Sequence, residues 1–252
     1  MHRFNHLSMQ NKLISISEAA KLLGVSIDTL RRWDSTKRLT SIRSSSQGHR
    51  YYRQSDIEQY MKDISAIARK WTEAIKTVEP KPDIYCPTRD VFQARLEHFE
   101  LELSHIAPLK TVSLITAVAG EIGNNSFDHN LGNWPDIVGI LFAYNLQNKS
   151  IVLADRGQGI LTTLKRIRPE LNNAADALKV AFTETVSGRY PEARGNGLKF
   201  VRSIIIANSF TLYFQTGDVY LYLKENKKYI TIKPAKVSIG GCFATIGFRD
   251  LL

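Results

Sequence analysis

Apolar residues recur at helical spacing through the first third of the chain. In ISISEAAKLLGVS, Ala19, Ala20, Leu22 and Leu23 fall on one side, with Ser17 as the expected N-cap and Gly24 as a left-handed stop. SIDTLRRWDSTKRL then sets Ile27, Leu30 and Trp33 on one face behind a second cap, Ser26. Its other side carries Thr29, Arg31 and Arg32, with Lys37 and Arg38 at the end. Helix, tight turn and helix form a helix-turn-helix. TSIRSSSQGHRYY is polar and basic around a Gly turn and reads as a β-hairpin wing. QSDIEQYMKD opens a third helix at Ser55. The stripe Ile57, Met61, Ile64, Ile67 or Ala68, Trp71, Ile75 and Val78 suits either a dimer seam or packing against the chain's own second domain.

The pattern changes at VEPKPD, where Pro80 and Pro82 mark a connector. The expected division is a DNA-binding unit over 11–65, a helical, Pro-containing connector over 66–87, and a larger unit over 88–252. In the larger unit, RDVFQARLEHFELELSHI and TVSLITAVAGEIGNNSFDHN have helical periodicity. IVGILFAYN and KSIVLA read as a strand pair, and ILTTLKRIRPEL, ADALKVAF and LKFVRSIIIAN as helices. Three or four strands close the chain: FTLYFQ, VYLYLKE, YITIKP and CFATIGF. The fold class is α+β, with one helical layer expected on a mixed sheet.

Composition narrows the function. The chain has 252 residues, 43% of them hydrophobic, which is enough for a packed core. A formal net charge of +10 favours polyanionic partners. Cys86 and Cys242 match no metal spacing, and no apolar run is long enough to span a bilayer. MHRFNHLSMQNK lacks the apolar stretch of a signal peptide, so a soluble, cytoplasmic protein is expected.

Three polar sites stand in order along the larger unit. Glu121, Asn125 and His129 are spaced by four, so a continuous helix places them near one face at steps of about 6 Å. They suit either a cation beside an anion or an ordinary polar face. Asp155-x-Gly157-x-Gly159 follows a strand; an Asp fixed there can accept from the exocyclic amine of adenine. Gly195-x-Gly197-Leu198 opens a helix, whose free N–H groups attract phosphates. An Asn oxygen suits Mg²⁺, and a Glu beside that metal can deprotonate a water or hydroxyl.

Two resemblances follow from these residues. AAKLLGVSIDTLRRWDSTKRL with GHRYYRQSDIEQYM resembles the winged helix-turn-helix of the MerR and excisionase class, over about a fifth of the chain. That likeness implies double-stranded DNA as partner, read by Thr29, Arg31 and Arg32 and gripped by Arg43, His49, Arg50 and Tyr51 on the wing. Lys37 stands where the class usually has Gly, so the helix end is expected to be shaped differently. The three polar sites, over about Thr88 to Leu252, resemble the N, G1 and G2 boxes of the GHKL ATP-binding fold, a Bergerat-type α/β sandwich.

This second likeness implies ATP and Mg²⁺ as cofactors. Asn125 would be the metal ligand and Asp155 the adenine contact, with Glu121 as general base. Gly157, Gly159, Gly195 and Gly197 would shape the pocket. A lid from Thr183 to Asn196 would cover the phosphates, with Arg189 or Arg194 near the γ-phosphate and Arg194 and Asn196 counted among the cofactor-binding residues. His129 is either a phosphate or metal partner or a polar residue at a helix end. Together the likenesses imply a transcriptional regulator switched by Mg–ATP, with slow hydrolysis or none and with a homodimer or another protein as partner. The alternative is a serine or histidine kinase of anti-sigma type, tethered to DNA.

Overall fold

The computed structural model describes residues 12–23, 25–37, 39–43, 45, 48–185 and 197–248, with the backbone alone for 61–64. The expectations for Gly24, Arg38, Arg189, Arg194, Gly195 and Asn196 lie outside the described residues, as do those for the side chains of Met61 and Ile64.

β1 (Leu13–Ser15) leads directly into α1 (Ile16–Leu23). The cap is Ser15, not Ser17. Its hydroxyl accepts from the Glu18 N–H at 3.2 Å, and the Glu18 carboxylate accepts from the Ser15 N–H at 2.8 Å. This reciprocal capping box takes precedence because the strand ends at Ser15 and leaves Ser17 inside the helix. α2 (Ile27–Ser35) is capped by Ser26, which accepts from the Thr29 N–H at 3.0 Å. Leu30 and Trp33 are buried. Lys37 adopts φ 55°, so the left-handed helix end is kept without glycine, at a cost of about 1–2 kcal/mol.

Among the described residues of the wing, Ile42 makes one antiparallel bridge to Tyr51, and β2 (Tyr51–Arg53) pairs with β1, Ile14 opposite Tyr52.

α3 (Gln54–Glu73) begins one residue before Ser55 and resolves the alternatives left by its apolar stripe. Ala68 and Trp71 share a core with Leu141, Ala143, Val152, Ala154 and Phe243 of the sheet, so the helix packs on its own chain. The helix stops at Glu73. Ile75 and Val78 therefore lie beyond it, and both are exposed.

The stretch containing the prolines ends in β3 (Tyr85–Cys86), an edge strand. β4 (Ile140–Asn145), β5 (Ser150–Asp155), β6 (Phe210–Lys224) and β7 (Ile232–Phe248) complete a sheet of order β3-β4-β5-β7-β6. Two expectations are corrected here. All pairings are antiparallel, so the sheet is not mixed. It is also covered on both faces. Ile140, Phe142, Tyr144, Ile151 and Leu153 point to one core, while Leu141, Ala143, Val152 and Ala154 point to the other. Successive strand residues alternate faces, so strands apolar at every position require two covers.

The closing region forms two long strands. Thr216 pairs with Cys242 and Gly217 with Ile239, so the ladder slips at Gly240 and Gly241. Gly217 (φ 55°) and Gly241 (φ 75°) absorb the irregularity, so the strands bend instead of turning back.

α4 (Arg89–Ser104), α5 (Leu109–Asn130), α7 (Ala174–Thr183) and α8 (Gly197–Ala207) contribute to the inner core, with the short α6 (Gly159–Lys165) near the strand ends. Phe92 meets Phe142 edge-on at 5.3 Å, and Phe99 lies 4.8 Å from Tyr144. This packing fixes α5, the helix that carries Glu121, Asn125 and His129.

Candidate nucleotide pocket and nucleic-acid interface

β5 ends at Asp155, and the alternation of that strand decides where its side chain goes. Ile151 and Leu153 face the inner core, so Asp155 faces inward too, toward α5. Asp155 is 2% exposed, and its carboxylate accepts three hydrogen bonds of the roughly four it can take. Ser126 of α5 donates its hydroxyl to Oδ2 at 2.7 Å, and the Gly157 N–H donates to Oδ1 at 2.8 Å. The Cys242 N–H donates as well. Burial nevertheless raises the carboxyl pKa, because these donors only partly replace lost hydration.

Asn130 fixes the turn after Asp155. Its amide donates to the Ser126 carbonyl at 2.7 Å, and its oxygen accepts from the Gln158 N–H at 2.8 Å. A Cβ on Gly157 would overlap the Asn130 side chain, so this approach requires glycine. Thr216 of β6 accepts from the Ile160 N–H at 3.2 Å and donates to the Gly241 carbonyl at 3.1 Å. It thereby joins the start of α6 to the strand bulge.

These contacts frame an open pocket with about 540 Å³ of empty space, including its mouth. Asn125, Ser126, His129, Asn130, Asp155 and Cys242 supply its polar lining. Ile122, Ile160, Leu164, Ala181, Leu198 and Phe214 supply apolar walls, with Gly159 and Thr163 at the start of α6. A mostly apolar cavity with a few convergent polar groups is the usual form of a small-molecule site.

The residues spaced by four divide their positions. Asn125 and His129 line the pocket, and His129 is exposed. Glu121 stands beside them, hydrogen-bonded to Asn125 and packed against the first residue of α8. A Cβ on Gly197 would overlap its carboxylate. Burial raises the Glu121 pKa, against the Asn125 hydrogen bond and with a smaller push from Asp128. Of the expected residues, Asn125, Asp155 and Gly159 line the cavity, whereas Glu121, Gly157 and Gly197 do not line it but touch or adjoin residues that do.

Sequence reasoning missed Ser126, Asn130, Thr216, Cys242 and Arg156. Ser126 and Asn130 continue the helical row from Ile122, a signal visible in NNSFDHN. Thr216 and Cys242 come from distant strands, and nothing local marks them.

Arg156, the next residue, faces the outer layer. It is 7% exposed. It donates to the Trp71 and Ala74 carbonyls at the C-terminal end of α3, and through Nε and Nη2 to Asp136 at 2.8 and 2.6 Å. Capping orphan helix carbonyls with a cation is favourable for both hydrogen bonding and the helix dipole.

The expected DNA-facing residues lie around α2 and the wing. Arg31 pairs with Asp28 at 2.8 Å. Arg32 pairs with Asp83, which also accepts from the Trp33 indole at 2.8 Å. Arg95 of α4 holds the carbonyls of Pro82 and Asp83, so the connector ties the second helix to the larger unit. Arg43 and Arg50 converge on Asp34, Arg50 at 2.9 Å. Burial would raise the Asp34 carboxyl, but the Ser41 N–H and the two guanidiniums outweigh it and hold it far below the usual range. Asp34 thus fastens the wing to α2. Thr29 is half-buried with its hydroxyl 2.9 Å from that of Ser26, while His49 and Tyr51 are exposed.

Among the described residues, no helix is long and apolar enough to cross a membrane. A separate similarity, 33% identical over 70 residues, is to the type II methyltransferase M.Eco47II of Escherichia coli. It covers 28% of this chain and 17% of that protein, so the chain spans under a fifth of the curated relative it matches. Residues 15–52 match the family described as MerR family regulatory protein, and this segment is a MerR-type helix-turn-helix, a DNA-binding module.

Proposed function

We propose that the chain is a DNA-binding transcriptional regulator whose pocket takes Mg–ATP, and that nucleotide occupancy switches its binding to DNA or to a protein partner. The observation that carries this reading is the fixed, buried carboxylate of Asp155 at the floor of an apolar slot. Three donors orient it, and Ile122, Ile160 and Phe214 line the same cavity. That combination suits a flat heterocycle bearing an exocyclic amine. In a Bergerat-type assignment of the larger unit, Asn125 would hold the Mg²⁺ and the start of α8 would be the candidate phosphate contact. Mg–ATP, when bound, supplies a phosphoanhydride and a divalent charge. Glu121, hydrogen-bonded to Asn125, would orient or deprotonate a hydroxyl there.

The switch is supported by Arg156. The strand end that presents Asp155 to the pocket also presents Arg156 to the helix that follows the DNA-binding module. Displacing this joint by a coupling of about 1–3 kcal/mol is sufficient for regulation.

The test is a duplex titration with ATP, with ADP and without nucleotide, beside a fluorescent ATP-analogue titration with and without Mg²⁺. Nucleotide binding that leaves DNA affinity unchanged sinks the switch. Absence of nucleotide binding sinks the pocket assignment.

A second reading, a protein serine or histidine kinase, draws on Glu121, hydrogen-bonded to Asn125 and with its proton affinity raised by burial. Phosphate transfer from radiolabelled ATP to a partner protein, lost in Glu121→Gln with nucleotide binding retained, favours it.

A further inference from the structure

The β6–β7 hairpin continues beyond the sheet and carries an excess of cations. From Val219 to Val237 there are five lysines and one glutamate. Val219, Leu221 and Leu223 are buried in the inner core, so Tyr220, Tyr222 and Lys224 line the opposite face. Lys233 lies directly across from Tyr220 and shares that face. The face begins at an aromatic stack, Tyr213 on Tyr220 at 4.9 Å, with the Arg69 guanidinium 5.3 Å from the Tyr213 ring. Farther out it is exposed: Tyr222 is 42% exposed and Lys224 and Lys233 are open to solvent, as are Lys228 and Tyr229 in the turn.

The contrast with the helix-turn-helix is the key observation. Arg31, Arg32, Arg43 and Arg50 all pair with carboxylates. Among the described residues no ion pair involves Lys224, Lys228 or Lys233. The one glutamate of the hairpin, Glu225, takes the Ser209 hydroxyl at 3.1 Å instead.

We infer that this hairpin is a second DNA-contacting surface, reading no sequence and holding the phosphate backbone of a duplex. Its lysines are uncompensated, tyrosines lie between them, and the same chain carries a DNA-binding module. A duplex supplies the complementary charge, one phosphate per about 1.7 Å of axis. The paired strands set Lys233 beside Tyr220, Lys224 lies at the end of β6, and Lys228 lies in the turn that follows. The inference is independent of the nucleotide pocket.

The test uses the full chain and a fluorescent duplex of arbitrary sequence, about 30 base pairs long, titrated at several salt concentrations. The triple variant Lys224→Gln, Lys228→Gln, Lys233→Gln removes exposed charge only. Its slope of log affinity against log salt should become shallower by about 0.9 for each lysine that contacts phosphate. The control Lys110→Gln, Lys165→Gln, Lys179→Gln removes equal charge from the helices and should keep the wild-type slope. An unchanged slope in the hairpin variant overturns the inference, and so does an equal change in both variants. Hairpin-dependent binding to vesicles of anionic phospholipid, with the DNA slope unchanged, also overturns it.

Discussion

Asp155 and Arg156 are consecutive residues that serve opposite faces of one sheet. The first holds Ser126 in the inner layer, and the second holds the end of α3 in the outer layer. A strand forces this division because neighbouring side chains cannot share a face. Any ligand that repositions the Asp155 peptide therefore acts on a residue buried against the helix that follows the DNA-binding module.

Replacing Arg156 with Ala removes donors from two helix-end carbonyls and leaves Asp136 without its guanidinium. We expect a loss of about 3 kcal/mol in urea unfolding, in the range for breaking a buried pair. Asp136→Asn should cost less, since its side chain is 37% exposed and the carbonyl contacts remain. A loss for Arg156→Ala below about 1 kcal/mol would show that the guanidinium is not holding the layers together.

Asn125→Ala should leave the fold intact, since this side chain lines the pocket and is only half-buried. With a fluorescent ATP analogue, the increment in affinity gained from Mg²⁺ should disappear. Binding without metal should change by less than about threefold, or 0.6 kcal/mol. Retention of the full Mg²⁺ increment would remove Asn125 as the metal ligand.

Glu121 has a folded pKa above its unfolded one, because burial disfavours its charge. The native state then binds the proton more tightly, so this group's contribution declines as pH rises from about 4.3 through the folded value. Glu121→Gln should therefore raise the melting temperature at pH 7, with the difference closing near pH 4. A uniform difference across that range would contradict the assignment.

Asp34 behaves in the opposite sense. Its folded pKa is depressed by Ser41, Arg50 and Arg43 despite burial, so its contribution is complete above the unfolded value of about 3.9 and drains away as pH falls. Asp34→Asn should destabilise the chain by about 2 kcal/mol at pH 7, as for hydrogen bonds to a charged group. It should also loosen the wing, read as faster hydrogen exchange at the Ser41 and Tyr51 amides. Exchange equal to wild type would show that the wing stands without this carboxylate.

Helix periodicity and capping along the chain determined the helix-turn-helix, because both are decided within a few residues. The Ser26 cap and the one-face spacing of Leu30 and Trp33 are set within α2 itself, whereas their burial comes from the rest of the chain. The row from Glu121 to His129 was legible for the same reason, since a continuous helix fixes the spacing of its own side chains.

Only the tertiary structure decided how these parts face each other. Strands buried on both sides look alike whether their second cover is a domain, a partner or another helix, so the role of α3 could not be read locally. The convergence of Thr216, Cys242 and Ser126 around Asp155 depends on pairings between segments some thirty to ninety residues apart, which local propensity does not encode. The closing segments read as three or four separate strands in the sequence, but Gly217 and Gly241 take positive φ inside the β6–β7 ladder and leave two continuous strands, a register that only the pairing partner fixes.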